Sequence, residues 1–462
     1  MRIIAKLEVK DSYLVKGMQY EGLKKIGNIN DITFEYSQKG FHELMFSDVM
    51  ASLYGRNRID KIIGEFSKHC SIPIAAGGGI SNINIAGKLI SNGADKVMVN
   101  SHLFDDLNLL SELAHIYGEQ AIIISIQARR VVGAKRWKVM KNAGRENTGM
   151  YLDEWLSKIK HMPFGELMIS SIDNDGMLTG IDKDLLQTTR DRITNHPIIY
   201  SGGIGTLDHL VEAQEIGADA VAIAKAFHED NGLCSCIDKY LLNDVSSTKT
   251  LNTSINLVSK KVSILDLKLG NIASLVNCFS DIGYSVDVVD DLFNIQSIDR
   301  LVLPGVGHIS QAINSLMRNK LDHKIKEYVA LGKPILGICL GMHLMGNKSE
   351  EDNSSNLSGI GLFGENIYQL GIPNCSYKLP NVAWKSVEVK KGSRFSPGVF
   401  YHIHKFAYTS VNESSYDEIG TSSFYDQTFY SYLRKDNVIG FQFHPEKSGA
   451  NGRQAIIKCF EQ

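Results

Sequence analysis

A duplicated block constrains this chain more than any single motif. Gly78-Gly79-Ile80 recurs as Gly202-Gly203-Ile204, and Gly93-Ala94-Asp95 as Gly217-Ala218-Asp219, each copy 124 residues downstream. The same offset carries Asn100-Ser101 onto Ala224-Lys225, so one block has been copied whole. Around these sites, short apolar runs rich in β-formers alternate with amphipathic stretches: RIIAKLEV, HELMFSDV, IPIAAGG, KVMVN, AIIISIQA, ELMISSI, PIIYSGG and AVAIAKA. Eight strands that are apolar almost throughout, each followed by room for a helix, predict a closed parallel (β/α)8 barrel of the TIM type rather than an open sheet.

The barrel accounts for residues 1–242. Residues 243–260, NDVSSTKTLNTSINLVSK, are rich in Ser, Thr and Asn with weak apolar patterning and read as a linker. Residues 261–462 make a second domain, in which VSILDL, RLVLPG, KPILGICL, VFYHIH and VIGFQF predict an open α/β sheet with later strands antiparallel.

With 43% apolar and 22% charged residues, 462 positions can form two cores. Forty-nine basic against fifty-one acidic side chains leave a formal charge of -2, which argues against nucleic-acid and anionic-membrane partners. Seven cysteines at unpaired spacings exclude a disulfide framework and a zinc ribbon. Cys234 and Cys236 have CxC spacing with no second pair, so neither a metal nor a cofactor is expected. Arg2, Lys6, Glu8, Lys10 and Asp11 exclude an apolar signal core, and no long apolar run follows; the prediction is a soluble cytoplasmic protein.

Gly77-Gly78-Gly79-Ile80 ends a strand and opens a helix, and Ser201-Gly202-Gly203-Ile204 does so half a barrel later. Bare glycines there let backbone N–H groups close on a phosphate. Either motif alone reads as well as a tight turn; two at symmetric positions point to a ligand with two phosphates, with Lys225 adding charge at the second. In the second domain, Gly337-Ile338-Cys339-Leu340-Gly341 puts a cysteine at a sharp strand-to-helix elbow, which exposes the sulfur and favours thiolate. A lone cysteine is more often inert core. Phe443-His444-Pro445-Glu446 changes that balance, because His444 supplies a base and Glu446 a group to orient it. Pro304-Gly305-Val306-Gly307 offers N–H groups for an oxyanion.

GICLGMH, FHPEKS and PGVG resemble a class I glutamine amidotransferase, and DLKLGN, LPNVAW and YHIHKF resemble the glutaminase subunit of imidazole glycerol phosphate synthase. VKDSYLVKG, AAGGGI, GADKVMVN, SSIDNDG and SGGIG resemble that enzyme's cyclase subunit, itself a (β/α)8 barrel. The resemblance spans both domains and implies glutamine as substrate. In the glutaminase half it implies Cys339 as nucleophile, His444 as general base and acid, Glu446 as orienter, Val306 with Gly307 at the oxyanion, and Glu351 at the substrate. His343 stands where the family has a glutamine that helps hold substrate. In the barrel it places phosphate contacts on Gly79, Asn100, Asp175, Gly176, Gly203 and Ala224, with Lys225 replacing a serine. It makes Lys16 a lysine of a mobile active-site loop and Asp48 an active-site acid.

Glu8 and Gln127 occupy the positions of the cyclase's two acid–base aspartates, and an amide cannot exchange protons near neutrality. The ring that admits ammonia to such barrels matches at Arg2, Glu43, Lys96 and Glu166, and the pair joining barrel to glutaminase matches at Asp95 and Lys447. His402 and His404 are expected in the core or at an interface. Two enzymatic functions follow. In one, the barrel makes imidazole glycerol phosphate from a phosphorylated acceptor for histidine synthesis. In the other, which Gln127 favours, it conducts ammonia to a separate amidating enzyme acting on a sugar. A non-catalytic sensor of glutamine or a phosphate ester is the third reading, and the intact Cys-His-Glu set argues against it.

Overall fold

The computed structural model describes residues 1–51, 59–229, 232–233, 236–237, 260–351, 357–371 and 377–460. Cys234 and all of the expected linker except Lys260 lie outside the described residues. The chain divides into two compact units, Met1–Ala114 with Glu119–Ser246 and Ser376–Pro380, and Ser247–Cys375 with Asn381–Gln462 and His115–Gly118.

In chain order the first unit holds β1 (Arg2–Lys10), a hairpin of β2 (Tyr13–Met18) and β3 (Glu21–Asn28), β4 (Glu43–Asp48), β5 (Ile74–Gly77), β6 (Lys96–Val99) and β7 (Ile122–Arg130). A second hairpin follows, β8 (Trp137–Lys141) with β9 (Glu146–Tyr151), and then β10 (Glu166–Ser171), β11 (Ile198–Ser201) and β12 (Ala220–Ile223). Eight parallel strands, β1-β4-β5-β6-β7-β10-β11-β12, close on one another through β12–β1 pairing, and every one falls in an expected apolar run. The hairpins are additions at the ends of β1 and β7. They escaped the sequence reading because β3, EGLKKIGN, is exposed along most of its length and β9 is similarly open, so neither carries an apolar face.

Alternation along each strand sends every second side chain inward. Along β1 these are Arg2, Ile4, Lys6 and Glu8. At the strands' N-terminal ends, Arg2 Nη1 pairs with Glu43 Oε2 at 2.8 Å, Arg2 also pairs with Glu166, and Lys96 Nζ reaches Glu43 Oε1 and Glu166 Oε2 at 2.6 Å each. All four are buried. Above this neutral ring lies an apolar layer of Ile4, Met45, Ala75, Met98, Ile123, Met168, Ile199 and Ala220. Polar side chains return above it.

A buried ring of this kind tolerates no missing partner. Lys96→Met leaves Glu43 and Glu166 with one cation between them, at a cost of about 3–5 kcal/mol. Calorimetry should show the thermal midpoint of the barrel falling by roughly 10 °C; an unchanged midpoint would mean that the ring contributes nothing to stability.

The duplicated block is visible in the backbone. Gly78 and Gly79 have φ of 119° and 64°, and Gly202 and Gly203 have 118° and 80°. A Cβ on Gly78 would lie 2.6 Å from the Asp48 carbonyl oxygen, and one on Gly203 would lie 1.9 Å from that of Gly180. Each pair leads to a capped helix: Asn82 accepts from Ile85 N–H, and Thr206, 124 residues on, from His209 N–H.

The second unit contains β13 (Lys261–Leu265), β14 (Ser285–Val289), β15 (Leu301–Leu303), β16 (Ile335–Ile338), β17 (Tyr368–Gln369), β18 (Asn381–Val389), β19 (Gly398–His404), β20 (Phe406–Ala407), β21 (Glu418–Phe424), β22 (Gln427–Lys435) and β23 (Val438–Phe441). Nine of these form one sheet, β14-β13-β15-β16-β23-β22-β21-β18-β19. Pairing is parallel from β14 to β23 and antiparallel beyond. Of the expected later strands, β19 is antiparallel to β18 and β23 is antiparallel to β22, while on its other side β23 runs parallel to β16. One apolar cluster gathers the helices Ile309–Arg318 and Leu321–Ala330, and another gathers Ala273–Asp281 and Gly449–Phe460, so helices cover both faces. Among the described residues no helix is long and apolar enough to cross a membrane, and no cluster of His, Cys, Asp and Glu is placed to hold a metal ion.

Candidate active sites

Parallel pairing of Ile338 with Phe441 ends β16 and β23 side by side, which brings Cys339 and His444 to one edge. Cys339 has φ 48° and ψ -104°, a conformation that costs a non-glycine residue about 1–3 kcal/mol. The flanking glycines permit it. A Cβ on Gly337 would meet Gly341 O at 2.6 Å, and one on Gly341 would meet Leu303 O at 2.1 Å. The Cys339 N–H donates to Phe441 O at 2.6 Å.

His444 Nδ1 lies 2.8 Å from Glu446 Oε1. Burial works against charge on the imidazole, but Glu446 and Cys339 outweigh it and raise His444 well above its ordinary value. A His444 that holds its proton this readily is suited to exchange one with a reacting group at the sulfur. The sulfur is less open than the elbow predicted, since Cys339 is 5% exposed. Its Sγ lies 3.8 Å from Ile403 O and 3.7 Å from Gln442 Nε2. The helix that follows, Leu340–Leu344, is only five residues long.

Val306 and Gly307 lie in the loop after β15, and Val306 lines a small hollow with Asn271, Pro304 and Leu340. The Leu340 N–H, which sequence reasoning did not single out, donates to Gly305 O at 3.4 Å. His343 is buried and bonded to Gln442, and Glu351 is half-buried with its own N–H on Ser349 Oγ at 3.2 Å. His402 and His404 are core residues held at Ser431 Oγ and Asn381 Nδ2.

At the C-terminal mouth of the barrel the expected residues separate into two hollows. One, of about 320 Å³, is lined by Glu8, Asp48, Gly79, Asn100 and Gln127 among others. The other is lined by Lys16, Asp175, Gly176, Gly203, Ala224 and Lys225. Asn100 Nδ2 donates to Ser125 O at 2.7 Å, and the Asp48 carboxylate accepts from Met50 N–H at 2.9 Å. Lys225 reaches Glu229 at 3.7 Å.

Lys16, expected on a mobile loop, is instead in β2 and 5% exposed, because two carboxylates pin it. Its Nζ lies 3.0 and 2.9 Å from the oxygens of Glu8 and 2.9 and 2.8 Å from those of Asp175. Lys6 adds a third cation–carboxylate contact, 3.1 Å from Glu8 Oε1, and bonds Tyr20 OH at 3.2 Å. Burial would raise the Glu8 carboxyl, yet Lys16 and Lys6 bring it down to about 2. Sequence reasoning missed Lys6. The available signal was two charges, Lys6 and Glu8, at successive inward positions of a largely apolar strand.

Gln127 Oε1 and Ser170 Oγ are buried without a hydrogen-bond partner among the described residues, on strands that pair Ser170 with Gln127. Asp95 is in the first unit, where its carboxylate accepts from Ile74 N–H at 2.8 Å; Lys447 is in the second and is buried.

A (β/α)8 barrel with two glycine-lined hollows, followed by a Cys-His-Glu elbow on an α/β sheet, defines a fused enzyme with a glutamine amidotransferase domain. Residues 2–232 match the family described as Histidine biosynthesis protein, and residues 263–461 match Glutamine amidotransferase class-I. The chain belongs to the histidine biosynthesis protein family through its barrel. The barrel is similar to imidazole glycerol phosphate synthase subunit HisF of Thermotoga sp. (strain RQ2), 37% identical over 227 residues, 49% of this chain and 88% of that protein. It is also similar to the subunit HisF of Legionella pneumophila, 38% identical over 208 residues, 45% of this chain and 97% of that protein.

Proposed function

We propose that the chain hydrolyses glutamine at Cys339 and delivers the ammonia through the barrel to an acceptor, without orthodox cyclase chemistry in the barrel. The thiolate attacks the carboxamide carbon of glutamine, His444 gives its proton to the departing ammonia, and a γ-glutamyl thioester remains. His444, held by Glu446, then takes a proton from the water that releases glutamate. Arg2, Glu43, Lys96 and Glu166 are the entry to the barrel in this reading.

The observation that carries the second half of the proposal is the state of Glu8. Lys16 and Lys6 hold it as a carboxylate that has no proton to give near neutrality, and Gln127 does not titrate. Neither position can act as a general acid. The acceptor is therefore served elsewhere, by a separate enzyme that aminates a sugar. The competing reading, synthesis of imidazole glycerol phosphate in the barrel itself, draws support from the HisF relatives and from the two hollows.

Binding and turnover separate in this proposal, because backbone N–H groups need no catalytic carboxylate. Crystals soaked in inorganic phosphate are expected to show an ion at Gly78–Gly79 and another at Gly202–Gly203; two empty sites would count against phosphate recognition. Lys225→Ser should weaken the second site a few-fold. In the glutaminase, His444→Ala should cost at least a hundredfold in kcat. Glu446→Gln should cost about tenfold, since the amide still meets the ring but lacks the charge that stabilises imidazolium. Ammonia release measured with saturating glutamine tests both.

A further inference from the structure

His343 lies one helical turn beyond Cys339, with its N–H on Cys339 O at 3.0 Å, and it is 4% exposed. Its Nε2 is 2.9 Å from Gln442 Oε1. Gln442 is fully buried, and its Nε2 is 3.7 Å from Cys339 Sγ. The three side chains thus form a line that ends on the sulfur. An amide oxygen only accepts, so the first contact requires an N–H on His343 Nε2. Burial holds this ring down to about 4, so near neutrality it has a single N–H, and Gln442 takes it.

The consequence falls on Gln442. A half-turn of its amide would exchange oxygen and nitrogen, and a neutral thiol, which can both donate and accept weakly, does not prevent that. A donor at His343 draws the oxygen to itself and leaves the nitrogen facing Cys339. An N–H toward sulfur stabilises the thiolate, whereas an oxygen there would oppose it.

We propose that His343 is a positioning residue which, through Gln442, keeps an N–H donor on the Cys339 thiolate. The inference rests on Cys339 being the nucleophile. It differs from a role in holding substrate, because a thiolate donor alters the sulfur even when no glutamine is bound.

The test follows alkylation of Cys339 by iodoacetamide as a function of pH, read by mass spectrometry on the Cys339 peptide, together with kcat and KM for glutamine. His343→Leu should move the alkylation midpoint up by about one pH unit and lower kcat about tenfold, with KM changed less than threefold. Gln442→Leu should do the same, and the double variant should be no worse than the poorer single variant, as expected for residues acting in series. His343→Gln, which restores an N–H, should recover most of the wild-type profile. A His343→Leu protein with a raised KM and an unshifted alkylation profile would assign the residue to substrate, and one unchanged in all three measures would make it packing alone; either overturns the proposal. If His343→Leu does not fold, His343→Asn, whose donor is too short to reach Gln442, carries the same expectations. Wild-type protein that releases ammonia while Cys339 resists alkylation throughout would strike at the nucleophile itself, a separate result.

Discussion

Cys339→Ser should leave less than about a hundredth of the wild-type rate of ammonia release from glutamine, as deletion of a nucleophile does in other hydrolases. The substitution changes one atom in a buried residue, so the fold should persist. The elbow's backbone is set by Gly337 and Gly341, whose Cβ positions are already filled by main-chain oxygens, and serine tolerates φ 48° as well as cysteine does. What disappears is the thiolate. His444 is raised because Glu446 and Cys339 favour its charged form, and a hydroxyl is a far weaker nucleophile than a thiol under the same base. Unfolding midpoints should agree within a few degrees between the two proteins, which separates lost chemistry from lost structure. A variant that keeps a tenth of the activity would remove Cys339 from the role of nucleophile and, with it, the linked expectations for His444, Glu446 and His343.

The barrel was legible because its signals are local and repeated. Each strand is a short apolar run, and the duplicated glycines mark the same turn twice, now visible as paired positive φ values at Gly78 and Gly202. The glutaminase elbow was legible for a related reason: Gly337 and Gly341 are required by contacts under 3 Å that no other residue fits. The environment of each site was harder to read. Lys6 occupies an inward position that alternation alone identifies, but its contact with Tyr20 depends on a hairpin whose second strand, β3, shows no apolar face. The line from His343 through Gln442 to Cys339 joins residues about a hundred positions apart, and only the parallel pairing of β16 with β23 brings them together. The elbow's sulfur is buried between the Gln442 amide, which that pairing brings to 3.7 Å, and the Ile403 carbonyl of β19 at 3.8 Å.

Given ammonium salt at saturation in place of glutamine, the wild-type chain should form imidazole glycerol phosphate from the ribulosyl aminoimidazole carboxamide bisphosphate at least about a hundredfold more slowly than a HisF subunit with both aspartates, reflecting the missing acid–base group. Ammonium bypasses Cys339, so the comparison isolates the barrel. Gln127→Asp alone should recover little. It returns one titrating group, but Glu8 stays ionised between Lys16 and Lys6, with a carboxyl near 2 that gives no proton at neutral pH. Removing Lys6 should release part of that hold. The triple variant Lys6→Ala, Glu8→Asp, Gln127→Asp is therefore expected to exceed Gln127→Asp by about tenfold, while remaining below the HisF subunit because Lys225 still stands at the second hollow in place of a serine. A wild-type rate equal to that of the HisF subunit would end the conduit reading, and Arg2, Glu43, Lys96 and Glu166 would then admit ammonia for histidine synthesis within the chain's own barrel.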